Sequence, residues 1–199
     1  MTFYESRLQS QGITTIAGLD EAGRGPLAGP VVACCIIYHP GLLIEGLNDS
    51  KLLTPLKRGG IYDQIISHKD TNYALGIVEA QEIDKINILQ ATFLAMKEAA
   101  NGLKDLEYIL IDGNQLPNLP LKSEGIIKGD QKSITIAAAS IIAKETRDKI
   151  MLEHHKTYPE YAFSKHKGYG TKIHKEALEK YGPCPIHRKS FAPIAKYFS

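Results

Sequence analysis

From Thr135 to Ala143 the chain is apolar nearly all round for about three helical turns, interrupted only by the small hydroxyls Thr135 and Ser140. The pattern predicts a helix from Ser133 to about His155. A helix without a polar stripe has no face to offer water, so this stretch must be buried. At 199 residues, 43% of them hydrophobic, the chain can build a core without disulfide or metal staples. Its ordinary apolar and charged fractions exclude a disordered chain. No apolar run reaches the ~18 residues of a membrane span.

The flanking segments predict the rest of the fold. Ile13–Asp20 and Val31–Tyr38 read as strands, and the short connection carrying Gly23, Gly25, Pro26, Gly29 and Pro30 predicts that they pair antiparallel. Thr54-Pro55 is a helix start, with Thr as N-cap and Pro at the first helical position, and that helix should run to about His68. Asn72–Ala80 predicts a third strand. Ile83, Ile86, Leu89, Phe93, Leu94 and Met96 recur at roughly helical spacing up to Asn101-Gly102. Tyr108–Ile111 is a short continuous apolar run, as in a strand buried on both faces, and Gly125–Lys128 predicts one more. Pro159 ends the long helix, and a last helix spans Thr171 to Tyr181. Antiparallel strands first and helix-separated strands later imply an α/β fold, a mixed sheet with helices on both faces. Composition shifts near Lys156, which divides the chain into residues 1–157 and a small basic helical subdomain, 158–199.

Net charge is only +2, but it is unevenly spread. From Lys165 onward there are eight Lys/Arg against two acids, a net of +6 that leaves the rest of the chain at −4. A basic end on a mildly acidic body suits an anionic partner, although a solvated helix face has the same composition. Cys34, Cys35 and Cys184 form no CxxC pair, so they read as reduced, buried small side chains rather than zinc ligands. The polar start from Met1 to Gln11 is no secretory signal, which makes the cytoplasm the expected compartment.

Acids at the ends of apolar strands are informative, because a carboxylate there must be paired, hydrogen-bonded or metal-bound. Asp20-Glu21 ends the first strand, Asp112 ends the buried fourth, and Asp130 lies between the last strand and the buried helix. Neighbouring strand residues point to opposite faces, so Glu21 joins Asp20 only if the strand twists or bulges at Gly23. Clustered carboxylates raise one another's pKa. Hard divalent cations remove that conflict, and two of them can activate water and stabilise a leaving phosphodiester oxygen. Taken singly, Asp130 also suits an N-cap and Asp112-Gly113 a turn.

Gly23-Arg24-Gly25 follows the acidic pair directly, where glycine lets main chain approach a ligand. Residues Gly18 to Val31 resemble the opening motif of the bacterial type 2 ribonucleases H, the ribonuclease HII family. The resemblance continues through Leu47–Leu53, Ile111–Asn114, Lys128-Gly129-Asp130, Ile136–Lys144 with Arg147-Asp148, His166–Thr171 and Ile186–Phe191, nearly the whole chain in order. It implies the ribonuclease H fold, a five-stranded mixed sheet flanked by helices with a small helical C-terminal part. It further implies that Asp20, Glu21, Asp112 and Asp130 bind two Mg²⁺ or Mn²⁺ ions and carry catalysis. The implied reaction is hydrolysis of the RNA strand of RNA–DNA hybrids and incision 5′ of single ribonucleotides in duplex DNA, leaving 3′-hydroxyl and 5′-phosphate ends. By the same resemblance, Gly23, Arg24 and Gly25 meet the ribose 2′-hydroxyl and Tyr169 the next sugar. Ser50 and Lys51 are candidates for phosphate contact, and a monomer is expected.

Other readings remain open at this point. A resolvase-like DNA nuclease of the same fold shares the carboxylates but has no need of a 2′-hydroxyl sensor. A non-catalytic nucleic-acid binding module has no use for clustered acids, and a paired-carboxylate glycosidase needs no divalent ion. Asp148 reads as a helix-surface ion pair, and His174 and His187 as packing or phosphate contacts rather than metal ligands.

Overall fold

The computed structural model describes residues 1–37, 46–47 and 53–198. Tyr38, Ser50 and Lys51 lie outside the described residues. Within them the elements are α1 (Phe3–Ser10), β1 (Ile16–Ala22), β2 (Val31–Ile37), α2 (Pro55–Ser67), β3 (Asn72–Val78), α3 (Ala80–Asn101), β4 (Tyr108–Asp112), β5 (Lys122–Ile126), α4 (Ile134–Thr157), α5 (Phe163–His166), α6 (Lys172–Tyr181) and α7 (Ala192–Ala195).

The five strands make one mixed sheet in the order β3-β2-β1-β4-β5. β1 pairs antiparallel with β2, and β2 with β3, whereas β1–β4 and β4–β5 are parallel. Strand alternation divides the core. Ala17, Leu19, Ala33, Ile109 and Ile111 pack with Ala91, Ala95 and Ala99 of α3. Cys34 and Ile36 pack on the other face with Ile61 and Ile65 of α2 and with Ala138 and Ile142 of α4. The apolar turns of α4 are thus enclosed between sheet and α2. Gly18 allows this, because a side chain there would collide with the main chain of Thr135. Thr54 and Ser133 accept hydrogen bonds from Lys57 N–H and Ile136 N–H, capping α2 and α4.

Four features differ from the sequence expectation. β1 starts at Ile16 rather than Ile13 and runs on through Ala22, so Glu21 belongs to the strand. β5 lies earlier than Gly125–Lys128, because Lys128 adopts φ 57°, a left-handed conformation that ends a strand. α3 is broken at Asn87, also left-handed, whose Oδ1 accepts from Leu89 N–H at 3.0 Å and Gln90 N–H at 3.1 Å and recaps the helix. α1 was not expected. Its Glu5 is buried, and Glu5 Oε1 accepts from Ser133 Oγ at 2.6 Å and Thr135 Oγ1 at 3.0 Å, fastening the N-terminal helix to the start of α4.

Past Thr157, the short helices gather Tyr161, Phe163, Leu178 and Ile194 around Leu27, Ala28 and Met151. The C-terminal part therefore shares its core with the β1–β2 connection. Cys34 and Cys35 are buried free thiols, as expected, whereas Cys184 is only half-buried. No helix among the described residues is long and apolar enough to cross a membrane.

Candidate active site

The register Asp20↔Cys34, Glu21↔Ala33, Ala22↔Val32 is unbroken up to the end of β1, so the strand alternates normally through the acidic pair, and Gly23, where a twist or bulge was expected, lies just past it with φ +102°. Asp20 faces α4, and Glu21 lies on the α3 face. They meet all the same, because β1 ends here and both line a cleft of about 440 Å³ with Asp112. Glu21 and Asp112 also border a smaller recess of about 50 Å³ towards Thr92 and Met96 of α3.

Burial is the largest influence pushing the Asp20 carboxyl well above the usual carboxylate range, and the charges of Glu21 and Asp112 push it further. The Ser140 hydroxyl and the Glu21 N–H, 2.7 Å from Asp20 Oδ1, offset part of this. Burial also raises Glu21. Its pKa is pulled down by the Arg24 guanidinium at 3.5 Å and raised again by Asp112. Asp112 Oδ1 accepts from Gly129 N–H at 2.6 Å. That bond ties the end of β4 to the 3₁₀ turn Gly129–Gln131, which holds Asp130.

The structure thus brings Asp20, Glu21 and Asp112 to one cleft. Asp130 is buried next to the Asp112 anchor but does not line the cleft. Among the described residues, no three His, Cys, Asp or Glu side chains stand in a metal-holding group. The donor chemistry nevertheless fits a hard divalent ion: carboxylate oxygens only, with the charged form of Asp20 disfavoured by burial and by the adjacent acids.

The cleft is also lined by Gly23, Arg24, Gly25 and Tyr169. Tyr169 is 43% exposed and stands in the turn before α6. A Cβ on Gly25 would lie 3.8 Å from its Cε1, and Lys144 Nζ and Arg147 Cζ are each 5.9 Å from its ring centre.

Arg58, Ser140 and Lys144 also line the cleft, and the sequence reading did not single them out. Ser140, within the apolar run of α4, and Lys144, directly after it, carried a readable signal; Arg58 carried none. Arg58 Nε donates to Glu145 at 2.5 Å and Nη2 to Asp148 at 3.3 Å, while Lys144 Nζ meets Asp148 at 2.6 Å. Asp148 is therefore ion-paired as expected, but it is buried rather than on the helix surface. His174 and His187 are buried against one another and against Phe163. Arg188, counted in the sequence as part of the basic tail, points inward and is fully buried.

A mixed sheet in this strand order, with carboxylates at the ends of its central strand β1 and the adjacent β4, defines a ribonuclease H-like nuclease. Comparison with known proteins narrows the class. The sequence profile of the family "Ribonuclease HII" matches residues 17–194. The ribonuclease HII of Caldanaerobacter subterraneus subsp. tengcongensis is 54% identical over 192 residues, 96% of this chain and 79% of that protein. Among solved structures, the ribonuclease H2 of Pyrococcus horikoshii OT3 superposes with a TM-score of 0.76 at 28% identity, covering 92% of this chain and 97% of the other. Bst-RNase HIII, solved in complex with Mn²⁺, shares the fold at a TM-score of 0.73 and 16% identity, over 96% of this chain and 72% of its own. The chain belongs to the ribonuclease HII family. It is an endoribonuclease acting on RNA strands paired with DNA and on ribonucleotides within DNA.

Proposed function

We propose that Asp20, Glu21, Asp112 and Asp130 are the catalytic carboxylates and that they hold Mg²⁺ or Mn²⁺. The observation that carries this reading is the shared cleft: three of these acids open on the same space as Gly23-Arg24-Gly25 and Tyr169. Asp130 is included because its turn is hydrogen-bonded to Asp112. When bound, such ions lower the pKa of an attacking water and stabilise the oxygen that leaves. The chain's own residues do the rest. Asp20, its pKa raised by burial and then by Glu21 and Asp112, supplies the charge that the cation offsets. Main-chain groups of Gly23, Arg24 and Gly25 bind the 2′-hydroxyl, and the Tyr169 ring lies on the following sugar. Cleavage falls 5′ of the ribonucleotide and leaves 3′-hydroxyl and 5′-phosphate ends. Residues 158–199 act as the basic substrate-binding subdomain of a monomer.

A single assay tests the reading. Labelled duplexes carrying one ribonucleotide, an RNA–DNA hybrid and an all-DNA duplex are each offered with Mg²⁺, Mn²⁺ or chelator. Incision of the first two with either metal, and of none in chelator, is expected. Comparable cutting of the all-DNA duplex would favour a resolvase-like nuclease, and cutting in chelator would remove the metal from the reading.

A further inference from the structure

Arg147 and Arg188 are both fully buried, and every hydrogen bond they make among the described residues goes to a main-chain carbonyl. Arg188 donates from Nη2 to Gly23 O at 2.6 Å and Pro30 O at 3.1 Å, from Nη1 to Arg24 O at 3.0 Å, and from Nε to Gly29 O at 3.0 Å. Arg147 donates from Nε to Pro30 O at 2.9 Å, from Nη2 to Ala28 O at 3.1 Å, and from Nη1 to Lys167 O at 3.0 Å. Burying a guanidinium without a carboxylate against it is costly. At Arg188 burial, and then the charge of Arg147, draw the pKa down to about 9, and Asp84 offsets only part of this.

The geometry of the peptide unit says what the arrangement does. In a planar trans peptide the C=O and the N–H of the next residue point in opposite directions. The carbonyl of Gly23 shares its unit with Arg24 N–H, and that of Arg24 with Gly25 N–H. Arg188 pulls both carbonyls into the interior, so both N–H groups turn outward, on the side where residues 23–25 line the cleft. Neither N–H has a hydrogen-bond partner among the described residues. By contrast, Leu27 N–H is committed to Gly168 O at 2.8 Å and Gly29 N–H to Ile186 O at 2.9 Å. A carbonyl bonded to a cation also polarises its peptide, which makes the N–H at the other end a stronger donor. Gly23 is needed for the same reason. Its φ is +102°, and a side chain there would run into Arg147.

We propose that Arg188 is a positioning residue for ribose recognition, aiming the N–H groups of Arg24 and Gly25 at the 2′-oxygen, and that Arg147 fixes the same loop to the Tyr169 turn through Lys167. This rests on the reading of Gly23-Arg24-Gly25 as the 2′-hydroxyl sensor. A staple that only holds the C-terminal part in place would weaken all functions together. A positioning residue affects the choice between ribose and deoxyribose.

The test uses the full chain in chelator, so that nothing is cut, and reads affinity by fluorescence anisotropy for a duplex with one ribonucleotide and for its all-DNA counterpart. Wild type is expected to prefer the ribonucleotide duplex. Arg188→Lys keeps the charge but cannot reach four carbonyls, and should lose about tenfold of that preference, read as the ratio of its two affinities. An unchanged preference in a folded Arg188→Lys protein would overturn the role of Arg188 and leave the sensor reading standing. No preference in wild type would overturn the sensor reading, and this inference with it. Amide hydrogen exchange on the free wild type needs no variant. Arg24 and Gly25 should exchange fast beside slow Leu27 and Gly29, and slow exchange at Arg24 and Gly25 would overturn the outward orientation.

Discussion

His174 Nε2 lies 2.9 Å from His187 Nε2, and one proton serves both. The tautomers follow from the neighbours. Cys184 N–H donates to His187 Nδ1 at 2.9 Å, so His187 carries its proton on Nε2 and donates to His174. His174 then carries its own on Nδ1, which faces Tyr169 O at 2.9 Å. Two neutral imidazoles thus link the C-terminal segment to the main chain of Tyr169.

Both rings lose stability in acid. Burial draws the pKa of each down to about 4, from about 6.5 in the unfolded chain. Between these values the unfolded state binds more protons, so stability is full above pH 6.5 and lost as pH falls towards 4. The loss approaches about 1.4 kcal/mol per histidine per pH unit. Melting temperatures from pH 7.5 to 4.5 should therefore drop more steeply in wild type than in His174→Gln/His187→Gln. Parallel curves would show that the pair does not titrate in this way.

The acids should respond in the opposite sense. Burial, Glu21 and Asp112 all disfavour the Asp20 carboxylate, so Asp20→Asn should raise the metal-free melting temperature at pH 8, by about 2–4 °C per kcal/mol relieved. The same change, like Asp112→Asn, should lower turnover by on the order of 10²-fold or more. Near-normal rates in Mg²⁺ would remove that residue from the catalytic set.

The sequence is most legible where a residue violates its surroundings. Asp20 and Asp112 stand at the ends of apolar strands, and that conflict alone marked them. The route by which Glu21 joins them was not legible, since alternation gives a face but not where a strand's neighbour ends. α1 escaped notice because its inward stripe is Glu5 and Leu8, and a charged residue reads as surface. β5 was displaced because nothing in Lys128 announces a left-handed backbone. Arg147 and Arg188 are the hardest case. An arginine is read as tail or helix-surface charge, and the acceptors that bury Arg147 include a carbonyl 117 positions away.

The basic tail also changes once its residues are placed. Arg188 is buried, but Lys165, Lys172 and Lys175 are exposed and available to phosphate. Each lysine that displaces a counterion contributes about 0.9 to the slope of log K against log salt. Lys165→Ala/Lys175→Ala should therefore flatten the slope by up to about 1.8, equally for ribonucleotide and all-DNA duplexes. An unchanged slope would exclude these lysines from the phosphate track.

Variants of Tyr169 test stacking against hydrogen bonding in the choice of sugar. Carboxylates and metal ions meet phosphates that RNA and DNA share, so they cannot tell one from the other. Discrimination requires a group at the 2′ position. A site that hydrogen-bonds that hydroxyl rejects its absence strongly, because its polar groups are then left unpaired. The Tyr169 ring is half-exposed beside Gly25, with Lys144 and Arg147 near its ring, so it is held at the cleft rim rather than packed in the core. Tyr169→Ala should lose most cleavage at a single embedded ribonucleotide while the melting temperature changes little, since a rim side chain contributes little to the core. Tyr169→Phe keeps the ring and loses only the hydroxyl, and should fall between Tyr169→Ala and wild type. Single-turnover rates on that substrate decide the matter: a Tyr169→Ala enzyme as fast as wild type would put the tyrosine outside the recognition site, and a Tyr169→Phe enzyme as slow as Tyr169→Ala would assign the whole effect to the hydroxyl.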